Sequence, residues 1–474
     1  MTNCEVVVVG GGPVGLMVAC ELALRGVSAT VLERRDAIDP TVKAAYVNVP
    51  AAEALFRRGL LPEQPKPPTQ ARPGAAGKSA GPRFAGHFGG LLVDASEIDE
   101  SDPGWRDTGF DVGIQFLPQQ VIEERLEARA RESGVDVRRG VEVIDTVDRG
   151  EDVIVTCADG SEVTARWLVA CDGGRSAIRK RAEVPFDGDG PTMTGRQALV
   201  RWTGADALPV GWRRTPTGVF RRLGDLVLAA EFDGAPENRD EAITSDELES
   251  SIERVAGIRP NVNEIRSATR FTDNTRVARS YRSGRILLAG DAAHVHPPFG
   301  GQGLGLGIVD ATNLAWRLAL VVHGHPEGLL DGYTEERRPA AEWVLQFTRA
   351  QVGVMRTDSR SRAAGEMIAR LMSTRDGATI LAQEVSGVRH RYELGEPPIG
   401  DTAPNVRLAD GARLSDRLAA GTGALVRPED TVDPLPFPYT LIRPDGVIAW
   451  GGDEAPEPAA WPVDVPPAAF GVTS

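Results

Sequence analysis

The apolar residues at the start of the chain form short continuous runs instead of an alternating pattern. Val6–Val9 and Ser28–Leu32 each predict a strand buried on both faces, as in a parallel sheet that helices cover. Between these runs, apolar residues recur at helical spacing: Leu16, Ala19, Cys20, Ala23 and Leu24. Gly26 follows and is typical of a helix end. The pattern therefore predicts a strand–helix–strand unit at the N-terminus.

A second apolar run, past the middle of the chain, ends at a carboxylate. Ile286–Ala289 is followed at once by Gly290 and Asp291, and a helical pattern begins near Leu306. The residues between them are rich in proline and glycine: Pro297, Pro298, Gly300, Gly301, Gly303, Gly305 and Gly307. Glycine has no Cβ to obstruct contact, and the N–H groups at a helix start attract negative charge. This order of elements indicates a site for a planar, phosphate-bearing cofactor.

The rest of the chain divides into a strand-rich middle and a loop-rich end. A helix is predicted from Gln119 to Gly134, and a separate strand runs from Leu168 to Asp172. Short strands are predicted at Val135–Val137, Val141–Ile144, Val153–Cys157 and Val163–Trp167. An antiparallel sheet and a helix are predicted from Ala198–Trp202, Gly218–Arg222, Leu226–Phe232 and Ser245–Val255. A long helical region is expected from Leu330 to about Arg370, and Pro62–Pro82 is expected to be a mobile loop.

Composition excludes several classes of protein. The chain has 474 residues and a formal net charge of −14, which argues against nucleic acid as the main partner. No metal site is predicted, because the four cysteines show no ligand spacing, and reduced core cysteines are expected. The apolar run Val6–Cys20 lacks a basic start and is broken by glycines, so it is not a signal peptide or a membrane span. A soluble cytoplasmic protein is expected.

The N-terminal unit carries a dinucleotide-binding fingerprint. Gly10, Gly12 and Gly15 satisfy G-x-G-x-x-G, and Glu33 ends the second strand about 20 residues further on. This fingerprint alone leaves NAD and FAD open. The second carboxylate and glycine loop at Asp291 favours FAD, whose longer body needs a second binding element. A helix-capping role for Asp291 is the structural alternative.

Three ordered motifs resemble the class A flavoprotein monooxygenases, the aromatic hydroxylases of the para-hydroxybenzoate hydroxylase fold. They are Gly10–Gly15, the Asp172-Gly173 element with Arg175-Ser176, and Gly290–Gly303, joined by Gln119 and by Asp310, Asn313 and Trp316. Within that family the chain is most similar to actinobacterial polyketide-tailoring enzymes. The resemblance implies an α/β fold: a Rossmann-like FAD-binding domain, an inserted antiparallel-sheet substrate domain and a short thioredoxin-like C-terminal domain.

The resemblance also implies domain bounds. The FAD-binding domain is expected to comprise residues 1–76, 106–186 and 277–350, and the substrate domain residues 77–105 and 187–276. Residues 351–382 are expected to form a connecting helix. A truncated thioredoxin-like domain is expected over residues 383–474.

The resemblance implies the following contacts with FAD. The pyrophosphate turn and the ribose are assigned to Gly10, Gly12, Pro13, Val14, Gly15, Glu33 and Arg34. The middle of the cofactor is assigned to Lys43, Gln119, Gly290 and Asp291, and the Asp172 element is assigned a role in handling both FAD and NADPH. The flavin ring is assigned to Pro298, Gly301, Gly303, Leu304 and Gly305. In relatives Asn is usual at the position of Gly305 and Arg at that of Pro50, so these two positions depart from the family pattern.

The implied reaction uses NADPH or NADH and molecular oxygen. A C4a-hydroperoxyflavin would hydroxylate a phenolic or quinonoid polycyclic substrate of polyketide type. Baeyer–Villiger oxygen insertion, a non-catalytic flavin-binding relative and, third, a nicotinamide dehydrogenase are the alternatives. His87, Trp212, Arg213 and Pro298 are candidates for the substrate space. The catalytic base is left unassigned among His87, His294 and His296, and the oligomeric state, with a homodimer among the options, stays open.

Overall fold

The computed structural model describes residues 2–61, 84–105, 114–237 and 241–456, and this part of the chain contains ten helices and twenty-three strands. The helices are α1 (Pro13–Leu24), α2 (Val49–Arg57), α3 (Gln119–Glu132), α4 (Ala177–Arg181), α5 (Ser245–Ala256), α6 (Gly303–Val322), α7 (Asp331–Met355), α8 (Ser359–Met372), α9 (Arg375–Ser386) and α10 (Leu414–Leu418). The first eleven strands are β1 (Thr2–Val9), β2 (Ala29–Glu33), β3 (Tyr46–Val47), β4 (Phe84–Phe88), β5 (Leu91–Asp94), β6 (Gln115–Phe116), β7 (Asp136–Arg139), β8 (Val143–Asp148), β9 (Val153–Cys157), β10 (Glu162–Ala170) and β11 (Phe186–Asp189). The others are β12 (Thr194–Thr203), β13 (Gly211–Arg214), β14 (Gly218–Leu223), β15 (Leu226–Glu231), β16 (Asn261–Thr272), β17 (Thr275–Ala278), β18 (Arg282–Ser283), β19 (Ile286–Leu288), β20 (His294–Val295), β21 (Ala424–Val426), β22 (Tyr439–Ile442) and β23 (Ile448–Gly452).

The largest sheet brings the two predicted cofactor elements together. Its main strand order is β18-β19-β10-β1-β2-β7; the strands from β19 to β7 run parallel to one another, and β18 is antiparallel to β19. Val6–Val9 and Leu287–Leu288 are buried, since helices cover the sheet. The carboxyl ends of β1, β2, β10 and β19 therefore lie at one edge, where parallel sheets bind ligands. The strand–helix–strand prediction at the N-terminus is confirmed.

Strand β10 corrects one prediction. Val163–Trp167 and the strand from Leu168 were predicted as separate, but they form one strand of nine residues, Glu162–Ala170. Its first half pairs with β9 in antiparallel fashion, and the whole strand pairs with β1 in parallel. No turn residue interrupts the run, so nothing ends the strand before it enters the central sheet.

A five-stranded antiparallel sheet, β13-β14-β15-β12-β16, follows in the middle of the chain. One face packs on α5 through Phe220, Val227 and Ala229, and the other face carries Trp212 and Leu228. Strand β16 was not predicted. Its apolar residues recur every third position, because register shifts interrupt its pairing with β12.

The helical end of the chain also differs from the prediction. The long helical region expected from Leu330 to about Arg370 is present, but residues 356–358 divide it into α7 and α8, and the Asp358 carboxylate caps α8. Residues 351–382, predicted as a connecting helix, comprise the end of α7, all of α8 and most of α9. Helix α6 is long and apolar enough to cross a membrane, but 89% of its apolar stretch is buried inside the protein. It is the core helix beneath the large sheet.

A buried ionic junction joins the C-terminal segment to helices α6 and α7. The Glu336 carboxylate accepts hydrogen bonds from Arg317 Nη2 at 2.5 Å and from Arg443 Nη1 at 2.8 Å. Asn313 Nδ2 donates to Glu336 at 2.7 Å, and Arg443 also binds Asp445. Burial opposes the charge on Glu336, but the two arginines outweigh it and lower its pKa to about 2.

The fold class predicted from the sequence, α/β with antiparallel sheets, is confirmed. The expected mobile loop Pro62–Pro82 lies outside the described residues. Near the C-terminus the described chain forms a small antiparallel sheet, β21-β22-β23, with helix α10. The domain bounds and the thioredoxin-like character of this end stay predictions.

Candidate functional site

The turn between β1 and α1 is held close to the sheet by glycines. A Cβ on Gly10 would lie 2.2 Å from the carbonyl oxygen of Cys171, and a Cβ on Gly15 would lie 2.0 Å from that of Gly10. No described atom lies within 4 Å of the place where a Cβ on Gly12 would be. Two glycines are thus required by packing, while the third borders open space at the start of a helix. Such a place suits a phosphate group.

Glu33 is fixed at the end of β2 beside this turn. Its Oε2 accepts a hydrogen bond from the backbone N–H of Gly11 at 2.7 Å, and its Oε1 accepts one from Arg35 at 2.9 Å. Arg34 is exposed next to it. The carboxylate is therefore oriented before any ligand arrives, as a ribose-binding acid needs to be.

Asp172 and Asp291 lie at the ends of the neighbouring strands β10 and β19. Asp172 Oδ2 caps α4 by accepting from the N–H groups of Ala177 and Ile178, whereas its Oδ1 is buried without a partner. Among the described residues no group bonds the carboxylate of Asp291, which is exposed. Helix capping was the structural alternative for Asp291, but it is Asp172 that caps a helix. The carboxylate of Asp291 is available to a ligand.

Asp310 ties the Gly290 turn to the helices behind it. Its carboxylate accepts from the N–H of Gly290 at 3.2 Å and from Arg337 Nε at 2.8 Å, and it lies 2.6 Å from His294 Nε2. Burial opposes its charge, but His294 and Arg337 hold the pKa of Asp310 below its ordinary value. Asp310 and His294 are fully buried, so they position the turn and do not reach a ligand.

The start of α6 offers free N–H groups. Its first backbone hydrogen bond runs from the N–H of Leu306 to the carbonyl of Gln302. The N–H groups of Gly303, Leu304 and Gly305 come before this bond and therefore have no acceptor within the helix. The N-terminus of this 20-residue helix carries a partial positive charge. Gly301 is packed against a neighbour, since a Cβ there would lie 2.2 Å from the hydroxyl of Tyr46.

Asn48 occupies the space beside Gly305. A Cβ on Gly305 would lie 2.3 Å from Asn48 Oδ1, and Asn48 Nδ2 donates to Gln302 Oε1 at 3.0 Å. Gln302 Nε2 in turn donates to the carbonyls of Gly300 and Val385. An amide side chain, that of the N-cap of α2, therefore fills the space that a side chain at Gly305 would enter.

The segment around Lys43 lies beside the start of α3. The backbone N–H of Gln119 donates to the carbonyl of Ala44 at 3.0 Å, which places Gln119 next to the segment that carries Lys43. Lys43 Nζ lies 2.8 Å from Asp39 Oδ2. Val14 contacts both Gly290 and Gly307, which brings the first and second glycine elements into direct contact.

These residues fit FAD. The open space at Gly12, the unpartnered Oδ1 of Asp172, the exposed Asp291 and the free N–H groups of α6 lie along one edge of the large sheet. A long dinucleotide needs donors for its phosphates at one end and a helix start for its ring at the other. The structure brings the predicted residues of the two halves together.

The predicted substrate residues fall into two groups. His87 packs on Trp212 with ring centroids 4.4 Å apart, and Trp212 lies 6.3 Å from the ring of Phe299 in the glycine loop. Pro298, next to Phe299, is exposed. Arg213 is exposed on the other face of β13, and its Nη1 donates a hydrogen bond to the carbonyl of Trp212. His87 and Trp212 therefore face the glycine loop, and Arg213 does not.

None of the three candidate histidines has the surroundings of a general base. Burial lowers the pKa of His87 to about 3, and Arg221 adds to this effect. Burial also lowers the pKa of His296, whose Nδ1 lies 2.9 Å from the carbonyl of Pro297. His294 belongs to the Asp310 network. The base stays unassigned.

Four residues of the site were missed by the sequence analysis as ligand or packing groups: Tyr46, Asn48, Arg221 and Gln302. Tyr46, Asn48 and Arg221 reach the site only through the packing of distant segments, whereas Gln302 lies in the glycine loop itself. Tyr46 and Asn48 precede α2, and Arg221 lies in β14. The Asn48 N-cap before Pro50 was the one local signal that was available.

The comparisons with known proteins agree with this site. The chain matches the family described as FAD binding domain over residues 3–348. It is 36% identical to a rifampicin monooxygenase of Streptomyces venezuelae over 96% of each chain. It is 35% identical to a dialkyldecalin synthase of Streptomyces rugosporus, over 94% of this chain and 95% of that one. Among solved structures, OxyS anhydrotetracycline hydroxylase from Streptomyces rimosus has a TM-score of 0.80 at 32% identity over 95% of each chain.

The matched region contains both glycine elements, Glu33, Asp172 and Asp291, so the family and the geometry describe one cofactor site. Similarity of 36% to a monooxygenase over nearly the full length also covers the five-stranded sheet and the C-terminal end. The chain therefore belongs to the FAD binding domain family of flavin-dependent monooxygenases.

Proposed function

We propose that this enzyme uses NADPH or NADH and molecular oxygen to hydroxylate a phenolic or quinonoid polycyclic substrate of polyketide type. One observation carries the proposal. The five-stranded sheet β13-β14-β15-β12-β16, which we call the substrate sheet, has an aromatic face that carries Trp212. This face meets the glycine loop at Phe299, whose ring lies 6.3 Å from that of Trp212. The relatives that act on rifampicin and anhydrotetracycline support a large polycyclic substrate.

When bound, FAD supplies the redox chemistry, taking a hydride from the nicotinamide and activating oxygen for transfer to an electron-rich ring. The chain's own part is binding, orientation and exclusion of water. Gly12 and the start of α1 would hold the pyrophosphate, and Glu33 the ribose. Asp291 would accept hydrogen bonds from hydroxyl groups in the middle of the cofactor. The N–H groups of Leu304 and Gly305 would stabilise negative charge on the ring.

The aromatic face of the substrate sheet suits a flat, apolar substrate. Trp212, Phe299 and Met193 belong to one buried cluster, with Phe271 packed against it. Phe271 and Phe299 meet edge to face, with centroids 5.8 Å apart. Aromatic walls bind planar rings with little loss of side-chain entropy and keep water away from them.

The test begins with the cofactor. Purified protein is expected to be yellow and to release FAD on denaturation. Asp291→Ala is expected to lower FAD retention, whereas Asp159→Ala, in the exposed turn before β10, is expected to leave it unchanged. Wild-type protein that neither holds FAD nor binds added FAD would overturn the proposal.

The second test concerns the reaction. NADPH oxidation is expected to accelerate when a polycyclic phenol is added, and the product is expected to gain one atom of isotopically labelled molecular oxygen. Nuclear magnetic resonance of the product then separates a new phenol from the ring-expanded lactone of Baeyer–Villiger insertion. Bound flavin without ligand-stimulated NADPH oxidation would instead indicate a non-catalytic relative.

The similarity to a dialkyldecalin synthase favours one further candidate function. The same fold would then close a carbon ring, with FAD bound but not consumed in a redox cycle. Such an activity is expected to convert a polyene substrate without NADPH and without any gain of oxygen. Conversion under nitrogen separates it from oxygenation.

A further inference from the structure

Arg221 is a cation on the aromatic face of the substrate sheet. It lies directly opposite Trp212 in the pairing of β13 with β14, and its guanidinium carbon is 5.5 Å from the Trp212 ring centroid. In the part of the chain that the structure describes, no residue accepts a hydrogen bond from Arg221 and no carboxylate forms an ion pair with it. Among the described residues its charge therefore has no counter-ion.

Other arginines of the same sheet are paired. Arg196 lies 2.9 Å from Glu231 and 2.7 Å from Glu247. Arg254 and Arg270 bind the same two glutamates. These groups satisfy one another around α5, on the far side of the sheet. Arg214 of β13, on the same face as Arg221, likewise has no hydrogen bond or ion pair with a described residue, so Arg221 is distinguished by its place beside the Trp212 ring.

In its partly buried position, the charge of Arg221 loses solvation free energy unless a ligand binds to it. The side chain is partly buried, and burial lowers the pKa of Arg221, with Tyr46 acting in the opposite direction. A charge that leaves water without gaining a partner loses solvation free energy. An anion bound beside Trp212 would restore that loss, because a charge-assisted hydrogen bond strengthens where water is excluded.

The groups around Arg221 are flat or neutral. His87 packs on Trp212, and its low pKa keeps it uncharged at neutral pH. Burial raises the pKa of Tyr46 to about 12, so the phenol stays protonated and neutral. Tyr46 also lies against Gly301 of the glycine loop. The surface thus combines aromatic walls, the cation of Arg221 and neutral polar groups.

We propose that Arg221 is the counter-ion of an ionised oxygen on the substrate, so that the enzyme takes its polycyclic substrate as a phenolate or enolate. This inference rests on the proposed function, since it assigns the substrate's charge state at the same site. It also gives the substrate its orientation, because the anionic oxygen must lie on the β14 side of the Trp212 ring. An ionised oxygen donates electron density to its ring, which favours attack by an electrophilic oxygen.

The test uses the FAD-loaded enzyme and two dyes of matched shape. One is 1,2-dihydroxyanthraquinone, an anion at mildly alkaline pH, and the other is its neutral 2-methyl ether. Wild-type enzyme is expected to bind the anion about 10-fold more tightly than the ether, as one charge-assisted hydrogen bond allows. The visible absorbance of the bound dye is expected to show the anion at a lower pH than in free solution.

Variants separate a charge effect from a packing effect. Arg221→Gln is expected to lose the preference for the anion and the shift in the dye's ionisation, with the affinity for the ether unchanged. Arg221→Lys retains the positive charge, so it is expected to keep part of the preference for the anion and part of the shift in the dye's ionisation. Arg201→Gln, which removes an exposed arginine 3.6 Å from Glu264 on the same sheet, is the matched control.

Equal binding of both dyes by the wild type would overturn the inference, and so would an equal loss of both dyes in Arg221→Gln. The proposed function fails by a different result, the absence of FAD or of oxygen transfer. An enzyme that oxygenates a polycyclic phenol yet binds anion and ether alike would keep the function and lose the role of Arg221.

Discussion

Asn48 Oδ1 lies 2.3 Å from the place where a Cβ on Gly305 would be, so the amide of one residue fills the space that the other leaves empty. The two residues come from different segments, the start of α2 and the first turn of α6. Their contact supports the loop of Gln302, whose Nε2 holds the carbonyl of Gly300. A departure from the family pattern at Gly305 is thereby offset by a residue more than 250 positions away.

This contact predicts that an added side chain at Gly305 weakens cofactor binding. Gly305→Asn is expected to displace Asn48, break its bond to Gln302 and lower FAD affinity by about 10-fold, the effect of one lost buried hydrogen bond. Fluorescence of released FAD measures the change. The double variant Asn48→Gly with Gly305→Asn moves the amide across the contact and is expected to recover most of the affinity. No recovery would show that the two positions are independent.

Gly12 and Gly15 predict opposite results for the same substitution. Gly12→Ala adds a methyl group where no described atom lies within 4 Å, so thermal stability is expected to stay unchanged while FAD binding weakens. Gly15→Ala places the methyl group 2.0 Å from the Gly10 carbonyl, so the fold itself is expected to lose about 1–3 kcal/mol. Thermal unfolding of the FAD-free proteins and FAD titration separate the two effects. A large loss of stability in Gly12→Ala would contradict the proposed phosphate site.

Asp310 predicts a large stability effect without a direct contact to any ligand. Asp310→Asn removes the charge that Arg337 and His294 share in a fully buried network, and about 3–5 kcal/mol of unfolding free energy is expected to be lost. Denaturant unfolding measures this. Asp187→Asn, which breaks an exposed pair with Arg279, is the control and is expected to cost less than about 1 kcal/mol.

The ionic junction at Glu336 leads us to expect a contribution to the free energy of unfolding that is lost in acid. The pKa of Glu336 is about 2 in the folded protein and 4.5 ordinarily, so the folded state holds this proton less tightly than the unfolded state. The stabilisation, about 3 kcal/mol, is fully present above pH 4.5 and is lost as the pH falls from there towards 2.

Melting temperatures between pH 7 and pH 3 test this contribution. Glu336→Gln is expected to lower the melting temperature at neutral pH and to reduce its dependence on pH in the acid range. Glu335→Gln changes the exposed neighbour on the same helix and is expected to follow the wild type. Identical acid profiles for the wild type and Glu336→Gln would refute the assignment.

The sequence by itself determined the cofactor half of this protein. Continuous apolar runs with glycines at their ends predicted β1, α1, β2 and the Gly290 turn, because local periodicity and turn chemistry are written in neighbouring residues. The same local reading failed at β16, where register shifts replace alternation by a spacing of three, and at β10, which two predictions had divided.

Only the tertiary structure decided what lies opposite those elements. Asn48 against Gly305, Asp310 beneath Gly290 and Arg221 beside Trp212 are contacts between different helices, strands and turns, and no local pattern marks them. The two faces of β13 also separate Trp212 from Arg213, because successive side chains of a strand point to opposite sides. Which side chains share a face, and which charges find a partner, are set by how the strands pair.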